Sequence, residues 1–309
     1  MEIAKLIFGH QYQARDDLIT SNNKTIHYTS ASTAKLILET EQVWMRNATL
    51  MNDYQEIRRG NNAIQKFFHF KADTSSTFWS ILDNVHTKIS EEIASEYEAW
   101  NNDLISQTYV TCFSEHLNNE NNMGRLSMWR AYSQSTGVAI IFKPDIFFTE
   151  ENKLNVFSYP VFYWDEENTM KNFESLVKTL GENEKLLQNT AREDIKFFIS
   201  ELFHSYAISM KHPGFAEERE WRVVHRPNTF QSSALEKSIE TINDIPQLVY
   251  KIPLSDEYDT HIKQNLDHII IGPSNYGPEV YDVFVSLLSD LGIENATKKV
   301  RFSNIPLRT

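Results

Sequence analysis

The sequence predicts an α+β domain whose core is a broken (split), antiparallel or mixed sheet with two helical insertions. Short apolar and β-branched runs such as Val138–Phe142 and Ile269–Ile271 are typical of strands. Apolar residues at three-and-four spacing fill two longer stretches, about 61–105 and 166–211, and predict amphipathic helices there. Because strands and helices neither alternate regularly nor form an all-β pattern, a doubly wound fold and a β-sandwich are disfavoured.

The predicted elements follow one another along the chain without a linker. Residues 1–24 are polar and are expected to be irregular. Ser32 is suited to cap a short helix, and Gly181 stands where the first helix of the second insertion is expected to end. No repeat, low-complexity tract or Pro-, Gly- or Ser-rich linker divides the chain, which predicts one domain over residues 1–309. The predicted strands are Thr25–Thr29, Val43–Met45, 108–113, Val138–Phe142, Asn155–Trp164, 218–224, Leu248–Ile252, Ile269–Ile271 and Lys298–Phe302.

Composition restricts the classes of function. The formal net charge of −12 disfavours broad, nonspecific binding to nucleic acid or to an anionic membrane. The single cysteine, Cys112, excludes an internal disulfide and a Cys-based zinc site, and its apolar surroundings in the sequence predict a buried thiol. No signal peptide and no apolar run of membrane-spanning length is found, so a soluble, cytoplasmic protein is expected.

The stretch from Phe215 to Val224 carries the strongest chemical signal. It follows the breaker pair Pro213-Gly214 and ends in an apolar strand pattern. Strand alternation would place Glu218 and Glu220 on one face together with Arg222. Two neighbouring carboxylates repel each other unless a cation or a substrate offsets the repulsion. The pair therefore indicates either a catalytic acid-x-acid element or a salt-bridge ladder on the neighbouring arginines.

Two other strands carry polar groups with alternative interpretations. His27 and Thr29 share a strand face, with Tyr28 on the other, and an imidazole with a hydroxyl can hold a ribose or a phosphate. The alternative for His27 is a half-buried structural histidine. Ser114 ends the next strand run, beside Glu115, and is either a site hydroxyl or a turn-capping serine.

Aromatic and acidic side chains supply the remaining candidates. Trp129 and Tyr132 are three residues apart on a short predicted helix and either stack on a ligand ring or pack that helix on the sheet. Asp53 and Glu56 have helical spacing and can ligate a divalent ion, or they form an Asx turn with an acid at a helix start. No glycine-rich phosphate loop and no nucleophile elbow occurs.

Taken in order, these motifs resemble those of the bacterial family of domain of unknown function 2971 (DUF2971). The resemblance covers about residues 25–309. It rests on His-Tyr-Thr-Ser, Met-Asn-Asp-x-x-Glu, Thr-Cys-Phe-Ser-Glu, Ser-Met-Trp-x-x-Tyr with Gly-Val-Ala-Ile-Ile-Phe, Phe-x-x-Glu-x-Glu-Trp-Arg, Ile-Ile-Ile-Gly-Pro and Phe-Ser-x-Ile-Pro-Leu-Arg.

A more distant resemblance is to the ADP-ribosyltransferase superfamily, which has a histidine on a first strand, a hydroxyl ending a middle strand and an acid-x-acid element. It implies Glu220 as the catalytic acid, with Glu218 as the other acid of the element. It implies a target-recognition loop Lys211–Ala216 with Phe215 as its aromatic residue, and it assigns Phe215 and Arg222 to the substrate loop. The residues implied to bind NAD are His27, Tyr28, Thr29, Ser114, Trp129 and Tyr132.

The implied function is an NAD-dependent ADP-ribosyltransferase or NAD glycohydrolase, acting as a bacterial toxin or phage-defence effector. A carboxylate beside the ribose would stabilise the oxocarbenium-like state that forms as nicotinamide leaves. NAD is then a co-substrate, no metal is expected, and the acceptor is a protein, a nucleic acid or water. An antitoxin or another defence component would be the partner. The alternatives are a divalent-metal nuclease or hydrolase using Asp53, Glu56, Glu115 or Glu218, and a non-catalytic sensor in which the acid pair braces the sheet.

Overall fold

The computed structural model describes residues 2–50, 55–70, 72–104, 106–133, 136–148 and 152–306. Within these ranges, the side chains described do not include those of residues 55–57, 68–70, 72, 98 and 100–104.

Strands and helices are mixed along the described residues. The strands are β1 (Lys24–Ser30), β2 (Gln42–Asn47), β3 (Tyr109–His116), β4 (Gly137–Phe142), β5 (Phe157–Pro160), β6 (Glu220–His225), β7 (Glu236–Ile242), β8 (Ile245–Pro253), β9 (Leu266–Ile271) and β10 (Val300–Phe302). The helices are α1 (Glu2–Ile7), α2 (Gly9–Thr20), α3 (Ala31–Thr40), α4 (Gln55–Phe70), α5 (Ala72–Val85), α6 (Ile89–Leu104), α7 (Leu126–Tyr132), α8 (Glu166–Glu182), α9 (Glu184–Gln188), α10 (Arg192–Ser209), α11 (Ile262–Asn265), α12 (Gly277–Asp290) and α13 (Ala296–Lys299).

The ten strands form one mixed sheet. Its main path runs β10-β9-β4-β1-β3-β2-β8-β7, and β6 pairs with β3 and with β5. The β9–β10 pair is parallel, whereas β1–β4, β4–β9, β3–β6 and β7–β8 are antiparallel. The prediction of a mixed sheet combined with helices is thereby confirmed at that coarser level.

The chain forms two compact units. The sheet unit contains residues 16–46, 109–158 and 217–309, and the helical unit contains residues 1–15, 47–108 and 159–216. The helical unit therefore contains the two predicted insertions. The first insertion is three helices, α4 to α6, rather than one stretch of 61–105, and the second is α8 to α10.

The two faces of the sheet unit carry separate apolar clusters. On one face, α3 and α12 bury Phe113, Val138, Ile140 and Val223 in a large core. On the other, Ile26 and neighbouring residues form a smaller cluster beneath α7. Successive residues of β4 belong to the two clusters in turn, because successive residues of a strand point to opposite faces.

Aromatic rings and a close helix crossing hold the helical unit together. Phe67 stacks on Phe173 with 4.3 Å between ring centroids, and Phe78 meets Phe67 edge-on at 6.0 Å. At Gly60, α4 approaches the backbone of α10 so closely that an added Cβ would lie 2.3 Å from the Ala207 carbonyl oxygen. Glycine is required there because any side chain would separate the two helices.

Several predicted boundaries are wrong. Residues 1–24 were expected to be irregular, yet they contain α1 and α2, whose few buried apolar residues are too sparse for a helical stripe. Gly181 lies inside α8, which continues to Glu182. The hairpin of β7 and β8 adds a strand that was not predicted, because β7 alternates charged and apolar residues that remain largely exposed.

Candidate functional site

Strand β3 is the point at which the sheet forks. Ser114 pairs with Ile26 of β1 on one edge and with Glu220 of β6 on the other edge. β6 follows β3 over Tyr109–Ser114, whereas β1 contacts only Ser114–His116. β2 also pairs with β3. Because β6 occupies one edge of β3, β1 and β2 share its other edge. β1 therefore diverges from β3 directly after Ile26.

His27 lies at this fork. Its Nδ1–H donates to the backbone carbonyl of Cys112 at 2.9 Å, a group that β1 no longer reaches by backbone pairing. The ring packs on Phe113 with centroids 5.2 Å apart. Burial lowers the pKa of His27, and the bond to Cys112 only partly opposes this. A neutral imidazole thus replaces a missing ladder bond.

Ser114 and Glu220 share the face of the sheet opposite to His27. Directly paired residues of antiparallel strands point the same way, so Ile26, Ser114 and Glu220 lie on one face. His27 follows Ile26 and points, with Thr29, to the other face. The structure therefore brings two members of the predicted His–Ser–Glu set together and separates the histidine from them.

Arg222 is bound to Glu220 and is not a loop residue. Its Nε donates to Glu220 Oε1 at 2.8 Å and its Nη2 donates to Oε2 at 3.3 Å. Glu220 is 6% exposed and Arg222 2% exposed. The assignment of Arg222 to the substrate loop is wrong, because Arg222 lies within β6, where strand alternation places it on the same face as Glu220.

Glu218 does not share the strand of Glu220. It ends a 3-10 turn at Pro213–Glu218, and Arg219 has a left-handed φ of 44°. The Arg219 carbonyl accepts from the Glu115 backbone N–H at 2.7 Å. The acid-x-acid element is interrupted by this turn, so strand alternation does not set the relation between its two acids.

Tyr28 and Trp129 form a packed aromatic pair under α7. Their rings meet edge-on at 4.9 Å, and Trp129 is 1% exposed with its indole N–H donated to the Met123 carbonyl at 2.8 Å. Gly124 and Gly272 lie so close that an added Cβ would contact the indole at 2.9 and 2.8 Å. Tyr132 packs against the same cluster. Of the two interpretations of Trp129, the structure favours core packing, because no face of its ring is open.

Arg125 and Glu120 surround this cluster and were missed by sequence reasoning. The Arg125 backbone N–H donates to the Tyr28 hydroxyl at 2.9 Å, and its guanidinium donates to the Glu115 carbonyl at 2.7 Å and to the Glu217 carbonyl. Glu120 forms ion pairs with Arg125 and Arg219. Burial is the main cause of the lowered pKa of Arg125. Nothing in the spacing of these residues signals the network, because it joins segments about 100 residues apart.

Two histidines, His116 and His268, lie near Glu120 on the face of the sheet that carries Ser114. His116 Nε2–H donates to Asn121 Oδ1 at 3.1 Å, and its ring lies 6.1 Å from that of His268. Both nitrogens of His268 face acceptors, Asp267 Oδ2 at 2.5 Å and the Asn121 carbonyl at 3.0 Å. The hydrogen bond from His268, reinforced by Lys24, holds the pKa of Asp267 well below its usual range. The adjacent Asp-His pair before the Ile-Ile-Ile run was the one sequence signal for this cluster.

His116 makes the stability of the protein depend on pH. Burial lowers its pKa from 6.5 to about 4, against the attraction of Glu120. The unfolded chain therefore takes up this proton at a higher pH than the folded protein, and stability falls as the pH drops from about 6.5 to about 4, by about 3 kcal/mol in total. His116→Gln should flatten the pH dependence of urea unfolding by that amount in this window. An identical slope in the variant and the wild type would contradict the assignment.

The remaining predicted site residues do not join this cluster. Phe215 belongs to the helical unit, is 43% exposed and has the Lys211 ammonium 5.1 Å from its ring centroid. Asp53 lies outside the described residues, as does the side chain of Glu56. Among the side chains that are described, no group of three or more His, Cys, Asp and Glu residues could hold a metal ion.

Comparison with known proteins matches part of the chain to a family model. Residues 128–223 match the model of a protein family described as a protein of unknown function (DUF2971), which confirms the predicted family resemblance over that segment. The matched segment runs from α7 to β6 and includes Trp129, Glu220 and Arg222. No curated protein and no solved structure gave a significant match. Over the part of the chain that is described, none of the helices is both long enough and apolar enough to cross a membrane.

Proposed function

We propose that this protein cleaves the nicotinamide–ribose bond of NAD and acts as an ADP-ribosyltransferase or NAD glycohydrolase, with Glu220 as the catalytic acid. The observation that supports this proposal is the direct pairing of Ser114 with Glu220 at the fork of the sheet, on one face. A hydroxyl beside a carboxylate is the combination needed to bind a ribose and to stabilise positive charge on it.

Arg222 is compatible with this role. Arg222 donates one hydrogen bond to each oxygen of the Glu220 carboxylate. In the proposed reaction the carboxylate stabilises the positive charge that develops on the ribose. Nicotinamide would leave with the bonding electron pair, and water or another acceptor would attack the ribose C1′ and release its proton. Charge-assisted bonds from Arg222 would hold the carboxylate in one orientation throughout.

The second candidate function is a non-catalytic sensor or binding subunit in which Glu220 braces the sheet. Burial of Glu220 and Arg222, and the engagement of both carboxylate oxygens, favour this alternative. A buried, fully hydrogen-bonded ion pair is also a common structural feature. The two candidates make opposite predictions for turnover of NAD.

The assay uses chromatography to measure the release of free nicotinamide from NAD by the purified chain. The enzyme proposal predicts turnover by the wild type and a roughly tenfold lower rate for Ser114→Ala, because one hydrogen bond near the reacting ribose is lost. Ser133→Ala, which removes a hydroxyl outside the Ser114–Glu220 pair, should leave the rate unchanged. Absence of wild-type turnover across protein, nucleic-acid and water acceptors would support the bracing alternative.

A further inference from the structure

The helical unit contains a pocket with a volume of about 640 Å³. It is lined by α4, by the start of α8 and by the segment after α10, so all of its walls belong to one unit. Its volume is within the range of small-molecule sites. The lining includes Arg58, Arg59, Lys66, Trp164 and Glu166.

The pocket is cationic although the chain as a whole has a net charge of −12. Its lining carries three formal positive charges, from Arg58, Arg59 and Lys66, and two negative charges, from Asp165 and Glu166. Asp165 is committed to capping α8, where its side chain accepts from the Asn168 backbone N–H at 2.8 Å. Asp165 keeps its charge while it caps the helix, and Glu166 is the acid of the lining that is ion-paired with Lys66.

The ion pair between Lys66 and Glu166 is exchangeable. The two groups are 2.7 Å apart, but the Lys66 side chain is 42% exposed and that of Glu166 is 70% exposed. Exposed pairs of this kind contribute little stability, so an anion entering the pocket can replace Glu166 as the partner of Lys66. Arg59 adds a planar donor group, with one N–H donated to the Trp164 carbonyl at 3.4 Å.

Trp164 gives the pocket a rigid aromatic wall. Its ring is stacked on Phe162, with centroids 4.4 Å apart and an interplanar angle of 23°, and Tyr206 meets it edge-on at 5.8 Å. Met170 and Met210 line the pocket beside it. A fixed indole flanked by thioethers favours a planar ring over a flexible chain.

We propose that this pocket binds a small anion that carries a planar ring, of the mononucleotide class. The anionic group is held by Arg59 and Lys66, with displacement of Glu166, and the ring packs on the Trp164 wall. The proposal rests on the helical unit alone and does not depend on NAD cleavage by Glu220.

Calorimetric titration of the full chain with AMP, inorganic phosphate and adenosine tests this assignment. AMP should bind more tightly than either fragment, because only AMP contacts both the cations and the aromatic wall.

Arg59→Gln should weaken AMP binding roughly tenfold or more, the usual effect of losing a charge-assisted hydrogen bond. Trp164→Leu should weaken AMP binding but leave phosphate binding unchanged. Glu220→Gln should bind AMP like the wild type, which separates this site from the proposed NAD site.

Glu166→Gln is the most discriminating variant, because it is expected to bind AMP more tightly than the wild type. Removal of the competing carboxylate should tighten AMP binding, whereas a purely structural Lys66–Glu166 pair predicts no gain. The matched control is Glu182→Gln, which removes another exposed acid of α8, paired with Lys178 at 3.8 Å, and should not change binding. Failure of AMP to bind the wild type, or weaker binding by Glu166→Gln, would overturn the proposal. If inorganic phosphate bound as tightly as AMP, the proposed packing of the ring on Trp164 would be wrong.

Discussion

Replacing Glu220 by glutamine is expected to lower nicotinamide release from NAD by roughly a hundredfold to a thousandfold, the usual loss when a group that stabilises transition-state charge is removed. Glutamine keeps the shape of the side chain and can still accept a hydrogen bond from Arg222 through its amide oxygen. It cannot supply the negative charge that balances the positive charge developing on the ribose as nicotinamide departs. The loss should therefore appear in kcat of the folded variant, which is expected to be less stable than the wild type because buried Arg222 loses its charged partner.

The control for this variant is Glu240→Gln. Glu240 is likewise a strand carboxylate paired with a cation, in its case Lys251 of the adjacent strand at 2.7 Å, within the same unit. Removing its charge tests whether the loss of any strand carboxylate reduces turnover. Circular dichroism and the thermal midpoint of both variants show whether each is folded at the assay temperature. Turnover by Glu220→Gln equal to that of the wild type would leave Glu220 without a catalytic role and would favour the bracing alternative.

The central strands could be predicted because the sequence patterns that indicate them are local. Val138–Phe142 and Ile269–Ile271 read as buried strands from composition alone and are strands in the structure. The pair of Glu220 and Arg222 was accessible to the same reasoning, since it depends only on two-residue alternation. Helices α1 and α2 were not, because tertiary contacts rather than an apolar stripe hold them, as in the bond from Gln11 to Ser205 at 3.2 Å.

The geometry of the candidate site depended on contacts that no local pattern encodes. The separation of His27 from Ser114 is set by one register, Ile26 opposite Ser114, and a shift of one residue would reverse the faces. The interruption between Glu218 and Glu220 depends on a left-handed Arg219, a conformation that few non-glycine residues adopt. The Arg125–Glu120 network joins loops that are remote in sequence, so chain order alone could not reveal it.

Arg222→Met is expected to destabilise the protein by about 3 to 5 kcal/mol, because it leaves the buried Glu220 carboxylate without its cation. The side chains of Arg222 and Glu220 are 2% and 7% exposed, so water cannot replace the lost partner. Adding Glu220→Leu should recover most of that loss, since a buried ion pair and an apolar pair of similar volume often have comparable stability. Urea unfolding of the two single variants and the double variant measures the interaction as a double-mutant cycle.

The cycle also separates the two candidate functions. A folded double variant that has lost nicotinamide release retains the braced sheet and lacks only the charge, which is the result expected for an enzyme. A double variant that is folded and turns over NAD like the wild type would show that the pair serves neither chemistry nor orientation of the substrate. A loss below about 1 kcal/mol in Arg222→Met, the range of exposed pairs, would contradict the buried geometry itself. Because each outcome assigns the pair a different role, stability and turnover measured on the same variants decide between catalysis and bracing.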